Sequence, residues 1–242
     1  MSFGAIGYFH KNKLSTTDTV IKSFRQFYPD GTVVMINDGG NPALEEIARE
    51  NKCIYVPYEN TLTTGNNCDD IQVMIEWIRR FLNAIDLIQE DYTIILEDDV
   101  TILGPLNIDN LKGEMNGYNE KAKLPEKATE YLKTKNPKVI GSRIHYGGCG
   151  GCVLKTAFFK ELNTKDWEKE LVIYAELTKR FAQNQQSWYF SDTCMSYLCW
   201  VYGGEIVQNP EWFELQTRNY DSETAMCYKN GRRIFHKYNK YY

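Results

Sequence analysis

Three acids in a row, Glu97-Asp98-Asp99, are the residues of this chain best suited to chemistry. They follow the apolar run Thr93-Ile94-Ile95-Leu96 and lead into Val100. Adjacent carboxylates repel one another and resist desolvation unless a cation joins them. Oxygen-only ligation by one or two carboxylates suits Mg²⁺ or Mn²⁺, with water and substrate phosphate completing the shell. The plainer alternative is a solvated acidic turn at a strand end. A further acid ends a second run, Thr32-Val33-Val34-Met35-Ile36-Asn37, which leads into Asp38-Gly39-Gly40. Asp38 is either a turn-initiating residue or an acceptor for a bound ligand.

The runs that deliver these acids define the elements around them. A strand apolar at every position reads as the buried centre of a parallel sheet, and its polar end emerges at the carboxyl edge, where open α/β folds bind ligands. Phe3 to Phe9 reads as strand one, followed by a loop from His10 to Leu14. Ser15 and Asp18 resemble a capping box ahead of a helical stripe of Val20, Ile21, Phe24 and Phe27. Asn41-Pro42 opens a helix through about Asn51, and Cys53 to Val56 is a third strand. Asp69 caps a helix with the stripe Val73, Ile75, Trp77, Ile78, Phe81, Leu82 and Ile85. The βαβαβαβ order implies a parallel sheet with right-handed crossovers. Residues 107–136 read as an excursion with little core, after which Val139-Ile140-Gly141-Ser142 resumes the sheet. A glycine-rich segment, Gly147 to Gly151, enters another strand at Val153-Leu154. Asp166 to Gln186 reads as a long helix, Ser191-Asp192 caps another, and Ile206-Val207 is a short strand. The chain ends in a basic, aromatic tail with Arg232, Arg233, His236 and Lys237.

The order of these motifs carries a resemblance. "NDGG" after a second strand and "LEDDV" two units later resemble the nucleotide-binding half of a GT-A glycosyltransferase, with Glu97-Asp98-Asp99 where that superfamily carries its DxD-type motif. The resemblance covers residues 1–105 well and the remainder more loosely. It implies an α/β fold with a mostly parallel, Rossmann-like sheet. It implies a single domain over 1–242, with a donor half at 1–105 and an acceptor half at 106–242 that ends in a mobile tail. It further implies a metal-dependent enzyme that moves a sugar from a nucleotide-diphosphate donor, a UDP-sugar, to a hydroxyl acceptor, with inversion if Asp192 is the base and the retaining outcome left open.

Residue roles follow from the same resemblance. Asp38 would hydrogen-bond the base or ribose, and Tyr8, with Phe9 and His10, would supply the aromatic contact. Asp99 would ligate Mn²⁺ or Mg²⁺ directly, Glu97 would face the ribose or the metal, and Asp98 would orient its neighbours. Asp192 would be the base that deprotonates the acceptor, with Glu176 and Glu211 as substitutes; a plain helix cap is the competing reading. His236 would return to the metal, and Arg232 would meet the diphosphate.

Other classes are weighed on the same residues. Sugar-phosphate nucleotidyltransferases share the sheet order but open with a Gly-rich, Arg-containing loop, which Gly7-Tyr8-Phe9-His10-Lys11 does not match. A non-catalytic sugar- or protein-binding domain has no need of intact acids. Cys149 and Cys152, with Cys194 and Cys199, match no common zinc spacing. A net charge of −4 argues against nucleic-acid binding. Seven cysteines without a secretory leader, and no apolar run of membrane-spanning length, point to a cytoplasmic protein.

Overall fold

A computed structural model of the chain describes residues 1–62, 70–117, 121–141, 143–145, 147–148, 150–182, 191–215 and 233–237. The elements run β1 (Phe3–His10), α1 (Leu14–Phe27), β2 (Val33–Asp38), α2 (Pro42–Glu50), β3 (Ile54–Tyr58), α3 (Ile71–Ile85), β4 (Tyr92–Leu96) and β5 (Val100–Ile102). They continue β6 (Met115–Gly117), β7 (Lys121–Lys123), α4 (Glu126–Lys135), β8 (Arg143–His145), β9 (Val153–Lys155), α5 (Thr156–Asn163), α6 (Trp167–Ala182), α7 (Ser191–Val201), β10 (Ile206–Gln208), β11 (Trp212–Leu215) and β12 (Ile234–Lys237).

A seven-stranded sheet in the order β10-β6-β9-β4-β1-β2-β3 forms the centre. β1 pairs in parallel with β2 and β4, whose runs are buried almost throughout, and β2 pairs in parallel with β3, a half-exposed edge strand. Ala5, Ile6, Val34, Met35, Ile36, Ile94 and Leu96 are all fully buried. The registers His10↔Asp38 and Gly7↔Leu96 bring the carboxyl ends of β1, β2 and β4 to one edge. β9 alone runs against its neighbours, antiparallel to β4 and β6. Its entry, the glycine-rich segment, therefore lies at that same edge. The helices flank this sheet, α1 beside α2, and α3 beside α5, α6 and α7.

Several expectations need correction. Ser15 and Asp18 form no capping box: α1 begins at Leu14 with Lys13 at its N-cap, and Asp18 instead meets Lys22 and Asn51. The cap of α3 is Asp70, which accepts from the Gln72 N–H at 2.8 Å; Asp69 lies outside the described residues. The 107–136 stretch is no coreless excursion, because β6 sits inside the main sheet with all three residues buried, and α4 buries Ala128, Thr129 and Leu132. Val139, Ile140 and Gly141 do not resume the sheet, and Ile140 is 86% exposed; Ser142 lies outside the described residues. The sequence reading also missed α5, which starts directly after β9. The tail is anchored through Lys237, since β12 is the middle strand of a small sheet, β11-β12-β5, with Ile234 fully buried. Among the described residues no helix is long and apolar enough to cross a membrane, and Cys53, Cys152, Cys194 and Cys199 are in no disulfide.

The cap at Asp70 gives a direct check on this account of α3. Asp70→Ala should lower stability by ~1 kcal/mol, read as a shift in the urea midpoint at constant slope.

Candidate active site

β4 stops at Leu96, and the three acids do not extend it. The Val100 N–H donates to Glu97 O at 3.1 Å, so Glu97 to Val100 form a turn before β5. A turn splays its side chains where a strand would alternate them. Asp98 meets Lys13, with Nζ 3.2 Å from Oδ2. Glu97 lies against the glycine-rich segment, where a Cβ on Gly150 would sit 3.0 Å from both its Cβ and its carboxyl carbon. All three acids are half-buried.

The glycine segment is laced to this turn through the main chain. The Gly151 N–H donates to Ile95 O at 2.7 Å, and the Ile95 N–H donates to Cys152 O at 2.9 Å. The Trp212 indole N–H donates to Gly150 O at 3.0 Å and pins the segment from the small sheet. Farther along, Gly148 has φ +87°, and its absent Cβ would lie 3.3 Å from Asp192 Cα. Only glycine takes that conformation and that approach without strain. Ser196 Oγ lies 2.6 Å from Asp192 O and 2.7 Å from Gly147 O, which ties the start of α7 to the segment. Glu97 and Asp192 therefore line one run of backbone, two residues apart.

Asp192 lies in the first turn of α7, half-buried, and its Oδ1 accepts from Ser191 Oγ at 2.8 Å. The substitutes are elsewhere occupied. Glu176 is exposed on α6. Glu211 is buried, and its carboxylate accepts from the Asn107 N–H at 3.0 Å. His236 stands in β12 opposite Val100, the residue that closes the acid turn, so its backbone is beside the acids. Arg232 lies outside the described residues. Among the described residues no three His, Cys, Asp or Glu side chains converge as metal ligands. The oxygen donors of Glu97 and Asp99 fit a hard divalent cation that draws the rest of its shell from phosphate and water.

At the far end of the edge, Asp38 is buried within the protein. Its Oδ1 accepts from the Leu62 N–H at 2.8 Å and from Arg80 Nη1 at 3.3 Å. Arg80 also donates to Asn60 O and Glu76, and its guanidinium lies 4.0 Å from the Tyr58 ring centre. Asp38 thus anchors residues 60–62 to the sheet edge. Tyr8 stacks on Trp77 with centroids 4.9 Å apart. Burial first, and then the Asp38 carboxylate, push its phenol pKa well up, so the hydroxyl stays protonated. The Tyr8 hydroxyl is buried beside the Arg80 guanidinium. Phe9 cannot join it at a ligand, since Phe9 is fully buried in the core.

No protein-family model and no curated protein matches this chain. Solved structures do. The galactosyltransferase LgtC, solved with donor and acceptor sugar analogs, aligns over 98% of this chain and 87% of its own at 12% identity and TM-score 0.58. Mouse xyloside xylosyltransferase 1 aligns over 98% and 97% at 10% identity and TM-score 0.52. The glycosyltransferase GlyE of Streptococcus pneumoniae aligns over 99% of this chain and 55% of its own, at 11% identity and TM-score 0.51. The class defined by the fold is the GT-A type of α/β fold, shared with these glycosyltransferases.

The buried pair at the sheet edge generates a stability prediction. Arg80→Met leaves the Asp38 carboxylate without its cation and should cost ~3–5 kcal/mol in urea unfolding. Adding Asp38→Asn should recover part of that loss. A change within experimental error would remove the pair from the account of the edge.

Proposed function

We propose that this protein is a glycosyltransferase that moves a sugar from a nucleotide-diphosphate donor, a UDP-sugar, to a hydroxyl acceptor. The observation that carries this reading is the meeting of three pieces at one sheet edge: the acid turn, the glycine segment and the first turn of α7. The likeness to sugar transferases of the same fold supports it. The base of the donor would lie toward Tyr8, near the Asp38–Arg80 pair, and the diphosphate toward the acid turn and Arg232.

Glu97 and Asp99, with His236 as a third ligand, would hold Mn²⁺ or Mg²⁺, which supplies charge neutralisation at the leaving diphosphate. Asp192 would accept the proton of the acceptor hydroxyl. As that oxygen bonds to the anomeric carbon, the bond to the diphosphate oxygen breaks and the nucleotide leaves with its electron pair. Attack opposite the leaving group inverts the anomeric centre. Gly148 and Gly150 carry no Cβ, which lets their backbone approach Asp192 and Glu97 closely.

Two measurements test the reading. Calorimetry should show UDP binding more tightly with Mn²⁺ than with EDTA, and Asp99→Asn should lose most of that gain; equal affinities would sink the cation site. With a nucleotide-sugar that the native protein hydrolyses or transfers, Asp192→Asn should lower turnover by ~10² or more while donor binding holds. A product that keeps the donor's anomeric configuration would refute the base role.

A further inference from the structure

The N-cap of α1 breaks two local rules. Ser, Thr, Asp and Asn fill this position best because their side chains bond the free N–H groups of the first turn. The residue here is Lys13, whose side chain makes no capping bond. Its cation also stands at the positive end of the helix dipole, and the first turn holds no acid to offset it. Local violations of this kind concentrate where function demands them. Only the backbone of Lys13 serves the helix. Its carbonyl accepts from the Thr17 N–H at 3.0 Å and lies 2.6 Å from Thr17 Oγ1, while its own N–H donates to His10 O at 3.0 Å. The ammonium ends 3.2 Å from Asp98 Oδ2, with the two side chains only 21% and 30% exposed.

We propose that Lys13 is a positioning residue for the donor diphosphate, acting through Asp98; this rests on the cation reading of the acid turn given above. Lys13 draws the middle acid toward the end of β1 and cancels its charge. With its charge restored, Asp98 would attract the cation more strongly, but it would repel the diphosphate that must follow. A nucleoside diphosphate carries more negative charge than one divalent cation offsets, so each charge left on the turn weighs against it. The lysine thus trades cation affinity and helix stability for nucleotide affinity.

Lys13→Ser provides the test, because it installs a preferred cap while removing the cation. It should raise the urea midpoint. It should bind Mn²⁺ alone at least as tightly as the native protein, yet bind UDP at saturating Mn²⁺ roughly tenfold more weakly, the scale of one unit charge a few ångströms away where water screens most of the interaction. The double variant Lys13→Ser, Asp98→Asn should return UDP affinity to within about threefold of native, since it restores the charge of the turn. A double variant as weak as the single one overturns the proposal, because Lys13 would then touch phosphate itself. Unchanged UDP affinity in Lys13→Ser overturns it as well. A native protein that binds no Mn²⁺ overturns the cation reading and the proposal together, and so differs from either failure of the proposal alone.

Discussion

Backbone without side chains is what this site depends on. The acid turn can be lined by a second chain segment only if that segment carries no Cβ to collide with Glu97. Gly150 meets this condition at 3.0 Å from the carboxyl carbon, and Gly148 meets it beside Asp192 with a positive φ. The condition in turn requires β9 to run against β4, so that its entry and the end of β4 share one sheet edge. The two bonds between Ile95 and the residues entering β9 fix that arrangement. The small sheet then closes on it from the side, through Trp212 and through the pairing of His236 with Val100.

Charge is the second organising constraint. The edge collects Asp38, Glu97, Asp98 and Asp99 within a protein of net charge −4. Two of the four are met by basic residues from distant parts of the chain. Arg80 of α3 reaches the fully buried Asp38, where an unpaired carboxylate would be costly to desolvate. Lys13 reaches the half-buried Asp98 in the acid turn. The buried pair thus ties α3 to the sheet edge, and the half-buried one lowers the charge of the turn.

The first half of the fold was legible because β1, β2 and β4 are buried almost throughout and leave uninterrupted apolar runs. The acids were legible for the same reason: a run that ends abruptly in carboxylates marks a sheet edge. The cap at Asn41 followed from residue type, and the Asn41 side chain does accept from the Ala43 N–H. The second half was not legible in this way. β6 and β9 have three residues each, too few for a period to register. Asn116 is buried in the sheet because it bonds Gly113 on both sides, a partnership that composition hides. Val139-Ile140 reads as a strand, yet nothing covers Ile140. Asp38 looked like a reader of ligand because its partners, Leu62 and Arg80, are 24 and 42 residues away. The pairing of His236 beside the acids is likewise a fact of topology, and spacing alone cannot supply it.

The central claim is that a cation and a diphosphate meet at the acid turn. Anomalous diffraction from crystals grown with Mn²⁺ and UDP tests it most directly. The account predicts one manganese peak at bonding distance from the Asp99 carboxylate and a UDP phosphate oxygen, with Asp98 still turned toward Lys13. A UDP molecule bound away from this turn, or a manganese peak that Glu97 and Asp99 do not approach, would contradict it.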